Sequence, residues 1–420
     1  MEERFTSRVM DILTQAGKAA PALGYRVYAV GGFVRDLLLG RPNLDIDLVV
    51  EGDGMRMAQD LARRWRCSYK CFPRFGTAAV YVSREIKVDV ATARRESYAR
   101  PAALPTVEKG ASIRYDLLRR DFSINSLALD LSPQSFGELV DFFGAAGDLD
   151  RGIIRTLHDK SFVDDPTRAF RAVRFSQRFG FIISPDTKRL IKEAVRHRLF
   201  DRLSGKRLFT ELKLLLAEEK PAKALSLLGQ LSLLRTVHPK LGITGPSGLL
   251  IGRVDKVLNQ VGQAGFSESY YPWLIYLLAL FDPLTEEELT QLRDRLAIGG
   301  RREREALDKR GLALARLKEL EGLVRPANSR IYTCLHELPA ELLLYLIARS
   351  KRAGARSRLI NFLVKLRRVK PIISGEQLLS LGLAPGPLYG DILAQLRAAK
   401  LDGRLASRED EIHFVKERWL

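Results

Sequence analysis

Two aspartates separated by one residue are the first feature of this sequence that suits catalysis. Asp45 and Asp47 lie in a segment, residues 45–50, that predicts a strand, so both carboxylates project from one face. Neighbouring carboxylates repel each other unless a cation lies between them, and Mg²⁺ prefers oxygen ligands and often bridges carboxylates to substrate phosphates. A pair of such ions can activate an attacking hydroxyl and stabilise a leaving pyrophosphate. The alternative is an acidic pair on a solvent-facing strand edge.

A third carboxylate, Asp89, lies on another predicted strand. The segment 85–90 alternates so that Val88 and Val90 point away from Asp89, and it is expected to pair with a strand over residues 78–82. Asp89 is therefore either a third acid at the same site or a polar residue on an exposed face.

A glycine pair precedes the aspartates at the end of a predicted strand. Residues 25–30 alternate in the manner of a strand and lead into Gly31 and Gly32, after which a helix is expected. Glycine lets backbone N–H groups approach an anion closely, and a helix N-terminus adds a favourable dipole. Most glycine pairs are plain turns. The acidic pair just downstream favours a triphosphate and metal site here.

The surrounding segments predict a mixed α/β region followed by helices. In the first 130 residues, helical patterns alternate with strand patterns. After about residue 141 the strand signals fade. The predicted helices cover residues 8–20, 55–65, 166–179, 185–195, 205–217, 221–229, 286–296 and 340–349. Turn-rich stretches at 242–248 and 383–389 are candidate linkers.

Composition points to a globular protein with a polyanionic partner. The chain has 420 residues, which predicts about three domains. Hydrophobic residues make up 46% and charged residues 28%, which argues against disorder. Lys and Arg number 69 against 50 Asp and Glu, a net charge of +19. Such an excess favours nucleic acid, although solubility or heat adaptation gives similar surfaces.

Cysteine usage and hydropathy predict a cytoplasmic protein without a membrane partner. Three cysteines, Cys67, Cys71 and Cys334, make no disulfide framework, and a reducing compartment fits them. The N-terminus has no apolar core of the kind a secretory signal needs. The most apolar run, residues 271–281, is shorter than the ~20 residues of a membrane helix and predicts a core helix.

Five motifs in order resemble the class II tRNA nucleotidyltransferases, the family of CCA-adding enzymes and bacterial poly(A) polymerases. They cover roughly the first half of the chain, with a weaker match at residues 205–213, and the second half is similar only in its helical character. The motifs are Gly31-Gly-x-Val-Arg-Asp-x-x-Leu39, Asp45-x-Asp47, Arg119-Arg-Asp-Phe-Ser-Ile-Asn125, residues 147–155 with Gly147-Asp148 and Ile154-Arg155, and residues 164–175 beginning Asp-Asp-Pro-Thr-Arg.

The resemblance implies an α+β fold, with an N-terminal nucleotidyltransferase-type mixed α/β head followed by an elongated all-helical neck, body and tail. The expected domains are a catalytic head over residues 1–140, a neck for base recognition over 141–220, a body over 221–335 and a basic tail over 336–420.

The resemblance also implies roles for the head residues. Asp45 and Asp47 would bind catalytic Mg²⁺ in a two-metal site, with Asp89 beside them. Gly31, Gly32 and Arg35 would hold nucleotide phosphates, the alternative for Arg35 being a salt bridge to Asp36 or Asp47. Arg119, Arg120 and Asp121 would contact the sugar and phosphates, and Asn125 would support their loop. Which of the two arginines faces the ligand stays open.

Asp165 and Arg168 are the expected base readers. They are three residues apart at the start of a predicted helix and so share a face, and the alternative is that an acid caps this helix. A carboxylate accepts from an amino group and a guanidinium donates to a ring nitrogen or carbonyl, which suits cytosine and adenine. Uracil and guanine present the inverse pattern. Asp164 replaces the glutamate usual in the family.

Two further arginines, Arg171 and Arg174, continue the same helix face, with Arg178 close by. A basic stripe there would line the nucleotide pocket and neutralise phosphates, and a solvated face is the alternative. The preceding connection, residues 94–118, has no clear periodicity. The family has a flexible loop here that helps to switch from C to A addition, so its presence argues against an enzyme limited to adding C.

The function this implies is template-independent extension of the tRNA 3′ end from CTP and ATP, with release of pyrophosphate. Narrower alternatives are an enzyme that adds only the terminal A, or a poly(A) polymerase. Different classes are a non-catalytic RNA-binding protein, which the intact acidic pair disfavours, and a small-molecule nucleotidyltransferase, which the base readers and net charge disfavour. Oligomeric state is left open.

The helical half is expected to hold the tRNA acceptor arm through its phosphates. Residues 351–370 contain eight basic residues and no acidic one, which fits either phosphate contact or a solvated helix face. The candidate contacts are Lys351, Arg352, Arg356, Arg358 and Lys365.

Overall fold

The computed structural model describes residues 7–103, 105–243 and 245–420. The chain forms two compact units. The N-terminal unit contains residues up to 220 together with 227–237, and the C-terminal unit contains 221–226 and 238–420. The further division into head, neck, body and tail stays a prediction.

Strands occur in the N-terminal unit. They are β1 Arg26–Val30, β2 Asp45–Glu51, β3 Ser68–Phe72, β4 Thr77–Tyr81, β5 Lys87–Thr92, β6 Arg94–Ser97, β7 Thr106–Lys109, β8 Ala128–Asp130, β9 Leu139–Val140, β10 Ile153–Ile154 and β11 Ile182–Ile183. Seven of them form a mixed sheet in the order β3-β4-β5-β2-β1-β8-β9. β2 and β5 run parallel and the other neighbours antiparallel.

Helices of the N-terminal unit pack against this sheet and continue beyond it. They are α1 Ser7–Ala19, α2 Gly32–Leu38, α3 Gly54–Trp65, α4 Ile113–Leu118, α5 Ala145–Asp150, α6 Ser161–Asp164, α7 Arg168–Phe179, α8 Pro185–Arg196 and α9 Gly205–Leu216; α10 Pro221–Gln230 spans both units, and α11 Leu233–Val237 follows it. α3 begins where the Asp53 carboxylate accepts from the Met55 and Arg56 amides, and it packs Met57 and Leu61 onto the sheet.

The described residues of the C-terminal unit form helices without strands. These are α12 Pro246–Gln263, α13 Pro272–Leu280, α14 Glu286–Arg295, α15 Arg301–Asp308, α16 Arg310–Gly322, α17 Asn328–Leu335, α18 Ala340–Arg349, α19 Ala353–Val364, α20 Gly375–Ser380, α21 Leu388–Leu401 and α22 Arg408–Trp419. Every residue of α13 from Trp273 onward is buried, so the most apolar run is a core helix. Within the described ranges no single helix is long and apolar enough to cross a membrane, and the pair α17 and α18 reaches that length and composition only across a 112° bend.

The predicted fold class, a mixed α/β head followed by helices, is confirmed, and three local predictions need correction. The connection at 94–118 contains the β6–β7 hairpin and α4. The two strands pair only with each other and show no alternation of buried and exposed residues, which is why no strand signal is apparent in the sequence there. Two short parallel strands, β10 and β11, lie where helices alone were expected. The candidate linkers are partly helical, since α12 begins at Pro246 and α21 at Leu388; residue 244 lies outside the described residues.

Candidate functional site

A cleft of about 830 Å³ in the N-terminal unit brings most of the predicted site residues together. Those lining it are Gly32, Arg35, Asp45, Asp47, Arg119, Arg120, Asp121, Asn125, Asp165, Arg168, Arg171 and Arg174. Gly31 lies against Arg120 of the cleft wall, and Asp89 lines an adjoining cleft that shares Asp47 with this one. Residues separated by more than 100 positions therefore meet at one place.

Three carboxylates stand side by side on the open face of the sheet. Asp45 and Asp47 alternate with the buried Ile46 on β2, and Asp47 is the register partner of Asp89 on β5. Lys87 lies among them, with Nζ 2.6 Å from Asp89 and 3.4 Å from Asp45. We call these three aspartates the acid row.

Electrostatics in the acid row favours a bound cation. Burial raises the pKa of Asp47 to about 6, and the charges of Asp45 and Asp89 push it the same way against the opposing effect of Arg120. The carboxylates thus repel one another across a short distance, and one lysine offsets only part of their charge. In the part of the chain that the structure describes, no three acidic, histidine or cysteine residues converge tightly enough to hold a metal ion alone.

The predicted glycine turn joins β1 to α2. Gly31 has φ of +68°, a conformation that favours glycine, and a Cβ there would lie 2.2 Å from Nη1 of Arg120. Gly32 begins α2 and lines the cleft. The turn therefore needs glycine at position 31 both for its backbone and for the close approach of an arginine.

Arg35 is buried in the cleft wall, and each of its three guanidinium nitrogens donates one hydrogen bond to a neighbouring side chain. Its Nε and Nη2 donate to Asp36 at 2.9 and 2.7 Å, and its Nη1 donates to Oδ1 of Asn125 at 2.6 Å. The guanidinium also lies over the ring of Phe179, 4.5 Å from its centre. The alternative of a salt bridge to Asp36 is therefore present, and it fixes the guanidinium at the cleft.

Asp121 accepts hydrogen bonds from two other residues of the cleft, Asn125 and Arg171. Its carboxylate accepts from the amide of Asn125 at 2.9 Å and from Nε and Nη2 of Arg171 at 2.8 and 2.6 Å. Burial alone would raise the pKa of Asp121, but the charge of Arg171 and these hydrogen bonds outweigh burial and hold the pKa below its usual value. This acid therefore positions Asn125 and Arg171.

The two adjacent arginines both line the cleft and differ in what they contact. Arg119 donates to Asp116 at 3.0 and 2.8 Å and to Glu96 at 3.1 Å. Arg120 donates one hydrogen bond to Asp116 at 3.2 Å, and its buried Nε has no partner among the described residues. Arg120, whose Nη1 lies close to Gly31, therefore makes fewer hydrogen bonds to carboxylates than Arg119 does.

The base-reading pair has a different local geometry from the one predicted. α7 begins at Arg168, so Asp165 precedes the helix, in an extended conformation, and the shared helix face was wrong. Asp165 accepts from the amide and hydroxyl of Thr167, which turns the chain into α7. Both side chains still line the cleft.

Each base reader is held by distant residues. Arg207 on α9 lies 2.8 Å from Asp165. Nη1 and Nη2 of the buried Arg168 donate to the hydroxyl of Ser161 at 2.9 Å and to the carbonyl of Arg119 at 2.7 Å. The pair is thus preorganised at the cleft.

The basic stripe of α7 lines the cleft, but it is matched by acids. Arg171 and Arg174 lie 3.6 and 3.5 Å from Glu211 on α9. Arg174 and Arg178 also contact Glu218. The stripe is neither a solvated face nor a reserve of free positive charge.

Sequence reasoning missed several residues of the site. Asp116, Glu96 and Glu211 hold the arginines, and Arg207 holds a base reader. Asp116 stands three and four residues before the arginine pair, the helical spacing of ion pairs, and that signal was available in the sequence. The other three lie far from their partners along the chain.

The basic residues predicted to contact tRNA fall into two groups. Arg352, Arg356 and Arg358 donate to backbone carbonyls within the C-terminal unit, Arg358 to Leu320 and Leu323 at 2.9 and 3.0 Å. Lys351 and Lys365 are exposed. The two lysines are therefore freer to contact a phosphate than Arg358, which donates its hydrogen bonds to backbone carbonyls at the C-terminal end of α16.

Comparison with known proteins identifies relatives over the whole length of the chain. Residues 27–155 match the family described as Poly A polymerase head domain, and residues 180–242 match the one described as probable RNA and SrmB-binding site of polymerase A. The chain is 41% identical to the A-adding tRNA nucleotidyltransferase of Geobacter sulfurreducens, over 99% of this chain and 48% of that protein. It is 32% identical to the A-adding tRNA nucleotidyltransferase of Halalkalibacterium halodurans, over 99% and 94%. It therefore spans about half the length of the Geobacter relative.

The chain is also similar in fold to solved structures of CCA-adding enzymes. The fold matches the Thermotoga maritima CCA-adding enzyme complexed with tRNA with a TM-score of 0.81 and 32% identity, covering 99% of this chain and 96% of that one. A complex of a CCA-adding enzyme with ATP matches with a TM-score of 0.82 over the same shares, also at 32% identity.

Proposed function

This chain belongs to the tRNA nucleotidyltransferase family, and from that premise we propose that it adds nucleotides to the 3′ end of tRNA without a template. One observation carries the proposal: Asp45 and Asp47, the arginines Arg35 and Arg120 and the base-reading pair line a single cleft. A nucleoside triphosphate has three parts, the reacting phosphate, the charged tail and the base, and each has a matching group there.

The reaction joins the tRNA 3′-hydroxyl to the α-phosphate of the nucleotide. The O3′–P bond forms as the bond to the β-phosphate oxygen breaks, pyrophosphate leaves with the electron pair, and the hydroxyl proton passes to solvent. Arg35 and Arg120 lie where they can hold the triphosphate in line for this displacement. Positioning and charge stabilisation are the main contributions a protein makes to such a step.

The acid row fits Mg²⁺ as the cofactor. Two carboxylates completed by substrate phosphates and water are a usual arrangement for this ion. Asp45 and Asp47 would hold it, with Asp89 beside them. When bound, the ion activates the attacking hydroxyl and stabilises the leaving pyrophosphate.

The base-reading pair supports selection of ATP and CTP. Asp165 can accept from the exocyclic amino group of adenine or cytosine, and Arg168 can donate to the adjacent ring acceptor. UTP and GTP would place a carbonyl against the carboxylate, leaving a buried polar group unpaired. Because both side chains are already anchored, little ordering is needed when the base binds.

Addition of the terminal adenosine is the favoured activity, with full CCA addition as the second candidate. The relatives named A-adding are 41% and 32% identical over 99% of the chain, which supports the first. The likeness to CCA-adding enzymes supports the second. The cleft alone fits both, because adenine and cytosine present the same donor and acceptor order.

Incubation with tRNA ending before, within and after the CC sequence, with each nucleoside triphosphate in turn, tests the proposal. We expect ATP to be incorporated once into tRNA ending in CC. Incorporation of CTP into the shorter tRNAs would assign CCA addition instead, and a long adenosine tail would assign a poly(A) polymerase. If no combination of tRNA and nucleoside triphosphate gives incorporation, the enzymatic function is refuted.

The proposed partner is the tRNA acceptor arm, bound through its phosphates. Exposed Lys351 and Lys365 and the +19 net charge support this. tRNA binding should weaken steeply with salt, whereas a small-molecule nucleotidyltransferase would show little dependence. Free cysteines at positions 67, 71 and 334 support a cytoplasmic location.

A further inference from the structure

A second cleft, of about 550 Å³, adjoins the nucleotide cleft on the same face of the sheet. The two clefts share Asp47, Arg119 and Arg120 as lining residues, so these three side chains form the wall between them. Apart from Asp89, none of the other residues that line this second cleft has a role assigned above.

The floor of the second cleft is flat because its side chains are small. Strand register places Ala79 opposite Asp89 and Thr77 opposite Ala91, and these residues share the open face of the sheet with the acid row. The opposite face carries the buried Val88 and Val80 beneath α3. A planar group can therefore lie on this floor directly beside the acid row.

Two aromatic residues flank this floor, Phe72 opposite Thr77 at one end of β4 and Tyr81 opposite Lys87 at the other end. Phe72 and Tyr81 line the cleft and are 37% and 42% exposed, high values for large apolar side chains. α4 packs Ile113 and Leu117 against the β1 and β2 part of this face and leaves the β4 and β5 part uncovered. Exposed rings beside cationic side chains such as Arg94 are the usual platform for an unpaired nucleobase.

We propose that the second cleft binds the 3′-terminal nucleoside of the acceptor RNA, with its base against Phe72 and Tyr81 and its ribose towards Asp47 and Asp89. This inference rests on the proposed function. The nucleotide fills the first cleft with its triphosphate at the arginine wall, so the attacking hydroxyl has to reach the α-phosphate from the other side of that wall. The second cleft is open on that side and ends at the acid row.

Steady-state kinetics with separately varied acceptor and ATP tests this placement. Phe72→Ala and Tyr81→Ala should each raise KM for an RNA ending in CC about ten-fold, as expected for loss of one base–aromatic stack, and leave KM for ATP unchanged. Phe72→Leu, which keeps an apolar side chain but no ring, should show most of the same effect.

Two exposed aromatic residues near Phe72 and Tyr81 serve as matched controls. Tyr69 on β3 is 46% exposed but is the register partner of the buried Val80, so it faces away from the cleft. Phe75, in the turn between β3 and β4, is 54% exposed and lines neither cleft. Tyr69→Ala and Phe75→Ala should leave both KM values unchanged.

A binding measurement separates this inference from the proposed function. An RNA with pyrrolocytidine at its 3′ end should lose fluorescence on binding the parent enzyme and regain it with Phe72→Ala or Tyr81→Ala. If the parent adds no nucleotide, the proposed function fails while this measurement still reports on the cleft. Unchanged quenching in both variants, or a rise in KM for ATP in place of acceptor, would overturn the inference.

Discussion

The acid row, through Asp45 and Asp47, and the arginine stripe of α7 line the same cleft, and they differ in how their charges are balanced. In the acid row three carboxylates share Lys87, and the pKa of Asp47 is raised to about 6. In the stripe Arg171, Arg174 and Arg178 each have a carboxylate partner.

The difference separates two tasks. In the proposed reaction, a cation and substrate phosphates would complete the charge balance of the acid row when they bind. The stripe is compensated in advance, so its arginines and the readers beside them keep their geometry before substrate binds. Substitutions at the first site should therefore affect the chemical step, and those at the second should affect base choice or folding.

Removing charge from the acid row should have the largest effect. Asp47→Asn should lower kcat for nucleotide addition about a thousand-fold, because the cation and the developing charge lose a ligand. tRNA binding, measured by filter retention, should persist. Asp60→Asn on α3 makes the same change in the exposed pair with Arg64 and should keep parental activity. Substantial turnover by Asp47→Asn would contradict the metal role.

Removing a base reader should have an intermediate effect. Asp165→Ala should reduce the preference for ATP over GTP about ten- to hundred-fold, since a charged hydrogen bond to the base amino group is lost. Competition between the two nucleotides for one acceptor measures this ratio. Asp164→Asn is the control, because that side chain faces His158, 4.0 Å away, and does not line the cleft. A variant as selective as the parent would disprove the pairing.

Weakening a carboxylate that holds arginines should have the smallest effect, visible as a change in stability with pH. Burial alone would raise the pKa of Asp116, but the charges of Arg120 and Arg119 outweigh it and lower the pKa below 3.8. A group with a depressed folded pKa stabilises the fold above its unfolded pKa, and this contribution is lost as pH falls through the folded value.

Asp116→Asn should therefore lower the urea midpoint at pH 7 and flatten its decline below about pH 4, by at most about 1.4 kcal/mol per pH unit for one proton. Asp186→Asn, whose side chain is 86% exposed, should follow the parental curve at every pH. An equally steep decline in Asp116→Asn and the parent would show that this acid is not what couples stability to pH.

The sequence predicted the parts of the site that depend on local repetition. Two-residue alternation placed Asp45 and Asp47 on one face, and the glycine pair was correctly expected to end a strand and begin a helix. The resemblance to a known family then gave roles to residues along the first half of the chain. The prediction that failed, a shared helix face for Asp165 and Arg168, depended on where the first turn of α7 begins.

Only the tertiary structure decided which charged groups are committed to one another. Arg119 and Arg120 are equivalent in sequence, yet Glu96 and Asp116 occupy the first while the Nε of the second keeps an unused donor. The pairing of Arg207 with Asp165 and the aromatic side of the second cleft likewise join residues far apart in the chain. Periodicity fixes which way a side chain points, but the partner it meets is fixed by how separate elements pack.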